Sequence, residues 1–327
     1  MSEQTIATLS EEVRASWQRF LDEVEPLRPD LYRYCRHLTR TPWDAEDLVQ
    51  DAMAKAFVTL GTVFRDLPGR RAWLFRVASN LWIDRVRRAR LEASLERDED
   101  EAAVDPQAAR EAAGTLFSAL SAQERAAIVL KDVLDFSLDE IADALSTTVG
   151  AVKAALHRGR GRLAEAPSDS PAQRAPRAGV LDAFCAAFNA HDLERMTALL
   201  LDSAVVEIVG VVTEYGPDAA KDPRTGSFAG SLGPLTFDDR GGVGPELLVG
   251  YLGGPPRCEA RPYRDATVLL IWYDHEEGPR VRGVMTLQTA GDRIATLRNY
   301  FFSPDVIAEI CTELGVPFSA NGYRYWP

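Results

Sequence analysis

A chain of 327 residues with 46% hydrophobic and 26% charged content has ordinary globular composition and length for about two to three cores, which excludes a single disordered tail. No run approaches the roughly eighteen uninterrupted apolar residues of a membrane span, and the opening Met1-Ser2-Glu3-Gln4 lacks the basic-then-apolar pattern of a signal peptide; no membrane partner and a cytoplasmic location are expected. The formal net charge of −12, from 37 basic and 49 acidic residues, argues against nucleic acid in total but not in distribution, because phosphate binding needs clustered Lys and Arg.

The segment 41–60 predicts a helix: Thr41 caps it, Pro42 suits its first turn, and Asp44 takes the capping-box position. Leu48, Val49, Ala52, Met53, Ala56, Phe57 and Leu60 form its apolar stripe, and Asp44, Asp47 and Asp51 share the opposite face. Three carboxylates on one face repel one another, so the face is either a solvated surface favoured by the helix dipole or a docking surface for a basic partner.

A loop at 61–72, with Gly61, Pro68 and Gly69, leads to a second helix at 73–90. Leu74, Val77, Ala78, Leu81 and Val86 face a core, while Arg76, Asn80, Asp84, Arg87 and Arg88 cluster elsewhere. Residues 65–90 hold eight Arg against two acids. Trp73, Phe75 and Trp82 interleave with the basic residues, a pattern that serves single-stranded DNA, although large rings at helical spacing also serve as plain core. Residues 92–111 reverse the charge with eight acids against two Arg and almost no large apolar residues, which predicts a linker.

Ser121-Ala-Gln-Glu124 and Ser137-Leu-Asp-Glu140 are both capping boxes. The second opens a short amphipathic helix with Leu138, Ile141, Ala142 and Leu145; Ser146-Thr147-Thr148 turns, and Val149, Val152, Leu156 and Leu163 begin another stripe. Short helix, tight turn, then a helix carrying Lys153, His157, Arg158, Arg160 and Arg162 is the layout of a helix-turn-helix whose second helix enters the major groove.

A Pro- and Ser-containing linker at 166–176 precedes different sequence. Residues 177–201 predict a helix, a break at 189–192 and a second short helix; β-rich runs follow at 204–215, 257–274, 281–289 and 293–302. Asp274, His275, Tyr273, Tyr215 and Arg298 are pocket candidates here, although His275 lies in His-Glu-Glu-Gly, which reads as an exposed hairpin turn. Catalysis is not expected, since a fold carries no function by itself. The tail at 304–327 adds a capped helix and ends in Tyr323, Tyr325 and Trp326, read either as a docking segment or as a segment packed back on the domain. Cysteines at 35, 185, 258 and 311 have no metal-ligand spacing and are read as buried thiols, so no metal or cofactor is expected.

Residues 44–57, 73–88 and 120–163 resemble regions two and four of extracytoplasmic-function sigma factors, the initiation subunits of bacterial RNA polymerase. The sequence FCAAFNAHDLERMTALL resembles the opening of SnoaL-like domains of the NTF2-like superfamily, which a subset of those factors carries. The resemblance implies a multidomain chain: an all-α region 2 bundle (1–91), an acidic linker (92–110), a region 4 helix-turn-helix (111–165), a linker (166–176), a cone-shaped α+β domain (177–303) and the C-terminal helix and tail.

It further implies binding to core RNA polymerase, at the clamp of the large subunit through Asp44, Glu46, Asp47 and Asp51 and at the flap. Promoter −10 DNA would be recognised through Phe64, Arg65, Trp73, Arg76, Asn80, Arg87 and Arg88, and −35 DNA through Thr148, Lys153, His157 and Arg158. The α+β domain is expected to contact the sigma modules and regulate initiation in cis, with room for a small-molecule ligand. The alternative is a ligand-binding helix-turn-helix regulator acting without polymerase, against which stand the acidic helix and the basic helix after it, because such a regulator needs neither.

Overall fold

Local capping and helix-period stripes account for the first half of the chain. The computed structural model describes residues 3–39, 41–62, 70–99, 120–164, 178–220 and 255–323. Two units divide it, residues 1–171 and 172–327.

In the first unit, α1 (Glu3–Val24) leads through a 3₁₀ turn (Glu25–Leu27) into α2 (Arg28–Leu38), and α3 (Pro42–Thr62) and α4 (Arg70–Glu99) follow. The α3 cap forms as its sequence predicts: the Asp44 amide donates to Thr41 Oγ1 (3.1 Å), and that hydroxyl donates to the Asp44 carboxylate (2.8 Å). Leu31, Tyr34, Cys35, Leu38, Leu48, Val49, Ala52, Leu74, Phe75 and Ala78 close a core among α2, α3 and α4. Ser79 Oγ donates to the Phe75 carbonyl (2.6 Å), so Tyr34 is left as donor in its 2.7 Å contact with Ser79. Helix α4 runs on to Glu99, into the segment expected to be a linker.

The helix-turn-helix half begins with α5 (Ala122–Ile128), continues through a π turn (Val129–Val133) to α6 (Leu138–Ala144), and ends with α7 (Val149–Ala164). Both capping boxes form in full, at Ser121/Glu124 and Ser137/Glu140. Ser146 makes the turn with φ of 50°. Gly159 lets α7 approach α5 closely: a Cβ there would lie 2.6 Å from Ile128 Cδ1.

The two helical halves, expected as separate modules, pack together in this unit. Phe75 of α4 meets the ring of Phe136 at 5.1 Å, and Arg71 lies 4.6 Å above that ring. Arg76 pairs with Asp143 of α6, and Arg125 donates to the Leu38 carbonyl at 2.7 Å.

The second unit is α+β. Helices α8 (Ala178–Asn189) and α9 (Leu193–Ala198) precede β1 (Leu200–Ile208), β2 (Val212–Tyr215) and a short α10 (Gly216–Ala220); β3 (Arg257–Tyr263), β4 (Ala266–Tyr273), β5 (Arg280–Ala290), β6 (Arg293–Asn299) and α11 (Pro304–Leu314) follow. The six strands order as β2-β1-β6-β5-β4-β3. Pair β1–β6 is parallel and the other neighbours are antiparallel, so the sheet is mixed.

Two of the β-rich runs are hairpins. Gly210, at φ of 80°, turns β1 into β2, and Arg264, at φ of 53° with no glycine to signal it, turns β3 into β4. Gly216 ends β2 at φ of 79°, where a Cβ would strike the Asp202 carbonyl at 2.9 Å. Phe184, Phe188, Met196, Val206, Leu269, Ile271, Tyr273 and Leu297 build the core between helices and sheet. Among the described residues no helix is long and apolar enough to cross a membrane.

Candidate polymerase and DNA interface

Helix α3 sorts its four acids by burial. Asp44 and Asp51 are exposed and Asp47 is half-buried. Asp51 accepts from Arg85 of α4 at 2.5 Å yet keeps 59% of its side chain in solvent, and Arg85 also reaches the Asp47 carbonyl at 3.4 Å.

Glu46 departs from its expected place with them. Its side chain is fully buried, pairs with the equally buried Arg28 at the start of α2, and accepts from Gln50 at 2.7 Å. It holds α2 to α3 from inside and is no part of the acidic face. The signal was in the spacing: Glu46 lies three residues before Val49 and seven before Met53, on the apolar stripe.

Of the basic set on α4, Asn80, Arg87 and Arg88 are exposed and Trp73 is half-buried. Arg87 and Arg88 both lean toward Asp84, through its carboxylate and its carbonyl, at 3.4 and 3.5 Å. Arg76 is occupied by Asp143. Phe75 is wholly core, and Trp82 lies under the Arg125 guanidinium at 5.6 Å, so two of the three interleaved aromatics are engaged inside the unit. Phe64 and Arg65 lie outside the described residues.

On α7, Lys153 and His157 are one helical turn apart and both exposed. Thr148 spends its hydroxyl on capping, accepting from the Ala151 amide at 3.2 Å. Arg158 is exposed too but donates to Glu124 at 3.0 Å, and Arg162 donates to the same carboxylate at 2.6 Å. Glu124, which sequence reasoning took only as a capping residue, is therefore the hub that fixes α7 on α5. Burial alone would raise its pKa, but the Ser121 amide and the two guanidinium groups outweigh it and hold the carboxylate below the usual range.

A folded-state value below the unfolded one stabilises above the ordinary carboxylate range and is lost as pH falls through the folded value. Glu124→Gln should therefore destabilise the helix-turn-helix by about 1–2 kcal/mol at neutral pH. The deficit should shrink between pH 7 and pH 3 in paired thermal melts of the two chains, and a constant gap across that range would remove Glu124 from this role.

In the second unit the pocket candidates do not converge. Tyr215 stands 72% exposed at one sheet edge and Tyr273 is buried four strands away. Asp274 is exposed and accepts from Arg257 at 2.9 Å, and Arg298 donates to Glu207 at 2.7 Å. The His275–Gly278 turn forms, closed by the Gly278 amide on the His275 carbonyl at 2.9 Å, but His275 itself is half-buried and not exposed as expected. The tail packs back: Asn321 accepts from Arg282 and donates to the Phe301 carbonyl (2.7 Å), and Tyr323 donates to Asp305 at 2.8 Å. Tyr325 and Trp326 lie outside the described residues.

The first unit thus joins an acid-faced helix and a basic helix to a helix-turn-helix. Residues 24–92 match the Sigma-70 region 2 model and residues 110–163 the Sigma-70, region 4 model. SigG of Mycobacterium tuberculosis, an ECF RNA polymerase sigma factor, is 30% identical over 226 residues, 58% of this chain; the chain spans 61% of the length of SigG. SigW of Bacillus subtilis is 30% identical over 163 residues, covering 44% of this chain and 86% of SigW. SigJ of M. tuberculosis is 28% identical over 291 residues, 77% of this chain and 90% of SigJ, and its crystal structure aligns at a TM-score of 0.30 with 21% identity over 85% of this chain and 95% of that one. The chain belongs to the extracytoplasmic-function RNA polymerase sigma factors.

Proposed function

We propose that the chain binds core RNA polymerase, recognises −10 and −35 promoter elements and starts transcription, with the α+β unit regulating that activity in cis. The observation that carries this reading is the division of labour in the first unit: α3 offers carboxylates at Asp44, Asp47 and Asp51, while α7 offers the Lys153 ammonium with the exposed His157 ring one turn on. An acidic docking face fits an Arg-rich polymerase surface, and a cationic helix after a tight turn fits a major groove. Asn80, Arg87 and Arg88 of α4 would track the opened −10 strand, with Arg76 joining them once released from Asp143. The relatives are named as sigma factors, which supports the same reading.

The test is promoter-dependent transcription with purified core polymerase, comparing the full chain with one ending at Ala166. Initiation by the shorter chain alone makes the α+β unit an inhibitor; initiation by the full chain alone makes it a required part. Failure of both to bind core polymerase rejects the proposal.

A further inference from the structure

The four cysteines are unequal. Cys35 and Cys311 are buried and Cys185 alone is partly open to solvent. Cys185 of α8 and Cys258 of β3 place their sulfur atoms 3.4 Å apart, across 73 residues of chain. The approach is built into the backbone. One turn after Cys185, Asn189 grips Cys258 from both sides: the Cys258 amide donates to Asn189 Oδ1 at 2.7 Å, and Asn189 Nδ2 donates to the Cys258 carbonyl at 3.0 Å. The clamp fixes the register of the first helix of the unit against an edge strand of the sheet, so only small side-chain rotations separate the two thiols from bonding distance.

We propose that Cys185 and Cys258 form a reversible, hydroperoxide-driven disulfide, a modification site that ties α8 to the edge strand β3. The two thiols have distinct roles. The Cys258 thiol donates toward Cys185, which draws the Cys185 sulfur below the usual thiol range; its own burial and the neighbouring Asp182 and Glu259 oppose this, and the Ala260 amide assists. Cys258 is held well above that range, by the proton it shares with Cys185 and by burial.

Cys185, the more exposed and more acidic thiol, attacks as thiolate. Its sulfur takes the outer oxygen of the hydroperoxide, the O–O bond breaks, and the alcohol or water leaves with a proton, giving a sulfenic acid on Cys185. The Cys258 sulfur then attacks the Cys185 sulfur, the S–O bond breaks, and the Cys258 proton leaves with the hydroxyl as water. Two thiols lose two electrons and two protons in total, and the peroxide is reduced.

The experiment uses the reduced full-length chain exposed to hydrogen peroxide, then denatured, alkylated and mapped by mass spectrometry without reductant. The expected result is one intramolecular cross-linked peptide joining Cys185 and Cys258, reversed by dithiothreitol, with Cys35 and Cys311 still alkylated. Cys258→Ser should leave a dimedone-reactive sulfenic acid on Cys185, and Cys185→Ser should slow oxidation of Cys258 at least about tenfold. Both thiols remaining alkylatable, or cross-links only between separate chains, would overturn the proposal. The parent-chain map decides the matter even where a serine variant fails to fold.

Discussion

Exchanging both Asp47 and Asp51 for Lys should abolish binding to core RNA polymerase while leaving the first unit folded. The Asp51 end of its pair with Arg85 is largely in solvent, and pairs open to solvent contribute about 0–1 kcal/mol, so its loss costs little stability. Docking suffers far more, because two attractive charges become repulsive on a face that would meet an Arg-rich surface. Glu46 supplies the contrast one residue away. Removing it as Glu46→Ala leaves Arg28 inside the protein without its carboxylate, and breaking a buried pair from one side costs about 3–5 kcal/mol. Denaturant melts and a pull-down on core polymerase separate the two: the double Lys chain should melt near the parent and fail to bind, whereas the Ala chain should melt early and bind in proportion to its folded fraction. Retained binding by the double Lys chain would remove this face from the docking surface.

Much of the scaffold of the first unit was legible because it rests on local rules. The Ser121/Glu124 and Ser137/Glu140 boxes, the Thr41 cap and the turn before α7 each need only a few neighbouring residues, and each appears where the sequence places it. Pairings with distant partners were not legible. Arg158 looks like a groove-reading residue from its place on α7, but Glu124 lies 34 positions away and claims it. Arg76 looks free on α4 until Asp143 arrives from another helix. The β3–β4 hairpin was invisible because its turn is made by Arg264 at positive φ, without the glycine that marks β1–β2. The parallel β1–β6 pair depends on how the chain returns across the whole unit, which alternation along one strand does not encode.

Asp143→Arg should raise promoter-dependent transcription by opening the first unit. The −10 and −35 elements are separated by roughly 25 base-pair steps of about 3.4 Å, or ~85 Å of duplex. In the structure α4 touches α6 through Arg76–Asp143, and α5, which carries Arg125 against Leu38 and Trp82, holds α7 through Glu124. Helices in contact lie about 10 Å apart, so α7 stands within about 20 Å of α4, far short of that span. One chain reading both elements must therefore separate its helical halves, and the α4–α6 contact opposes the separation. Reversing Asp143 places a cation beside Arg76 and shifts the balance by about 1 kcal/mol, roughly fivefold in the ratio of open to closed chains. Energy transfer between dyes on α3 and α7 should fall in Asp143→Arg and recover when Arg76→Asp restores the pair with opposite sign. Transcription at limiting protein should rise by up to about the same fivefold in the single variant. Unchanged energy transfer together with unchanged or lower transcription would mean that the packed arrangement places no brake on initiation.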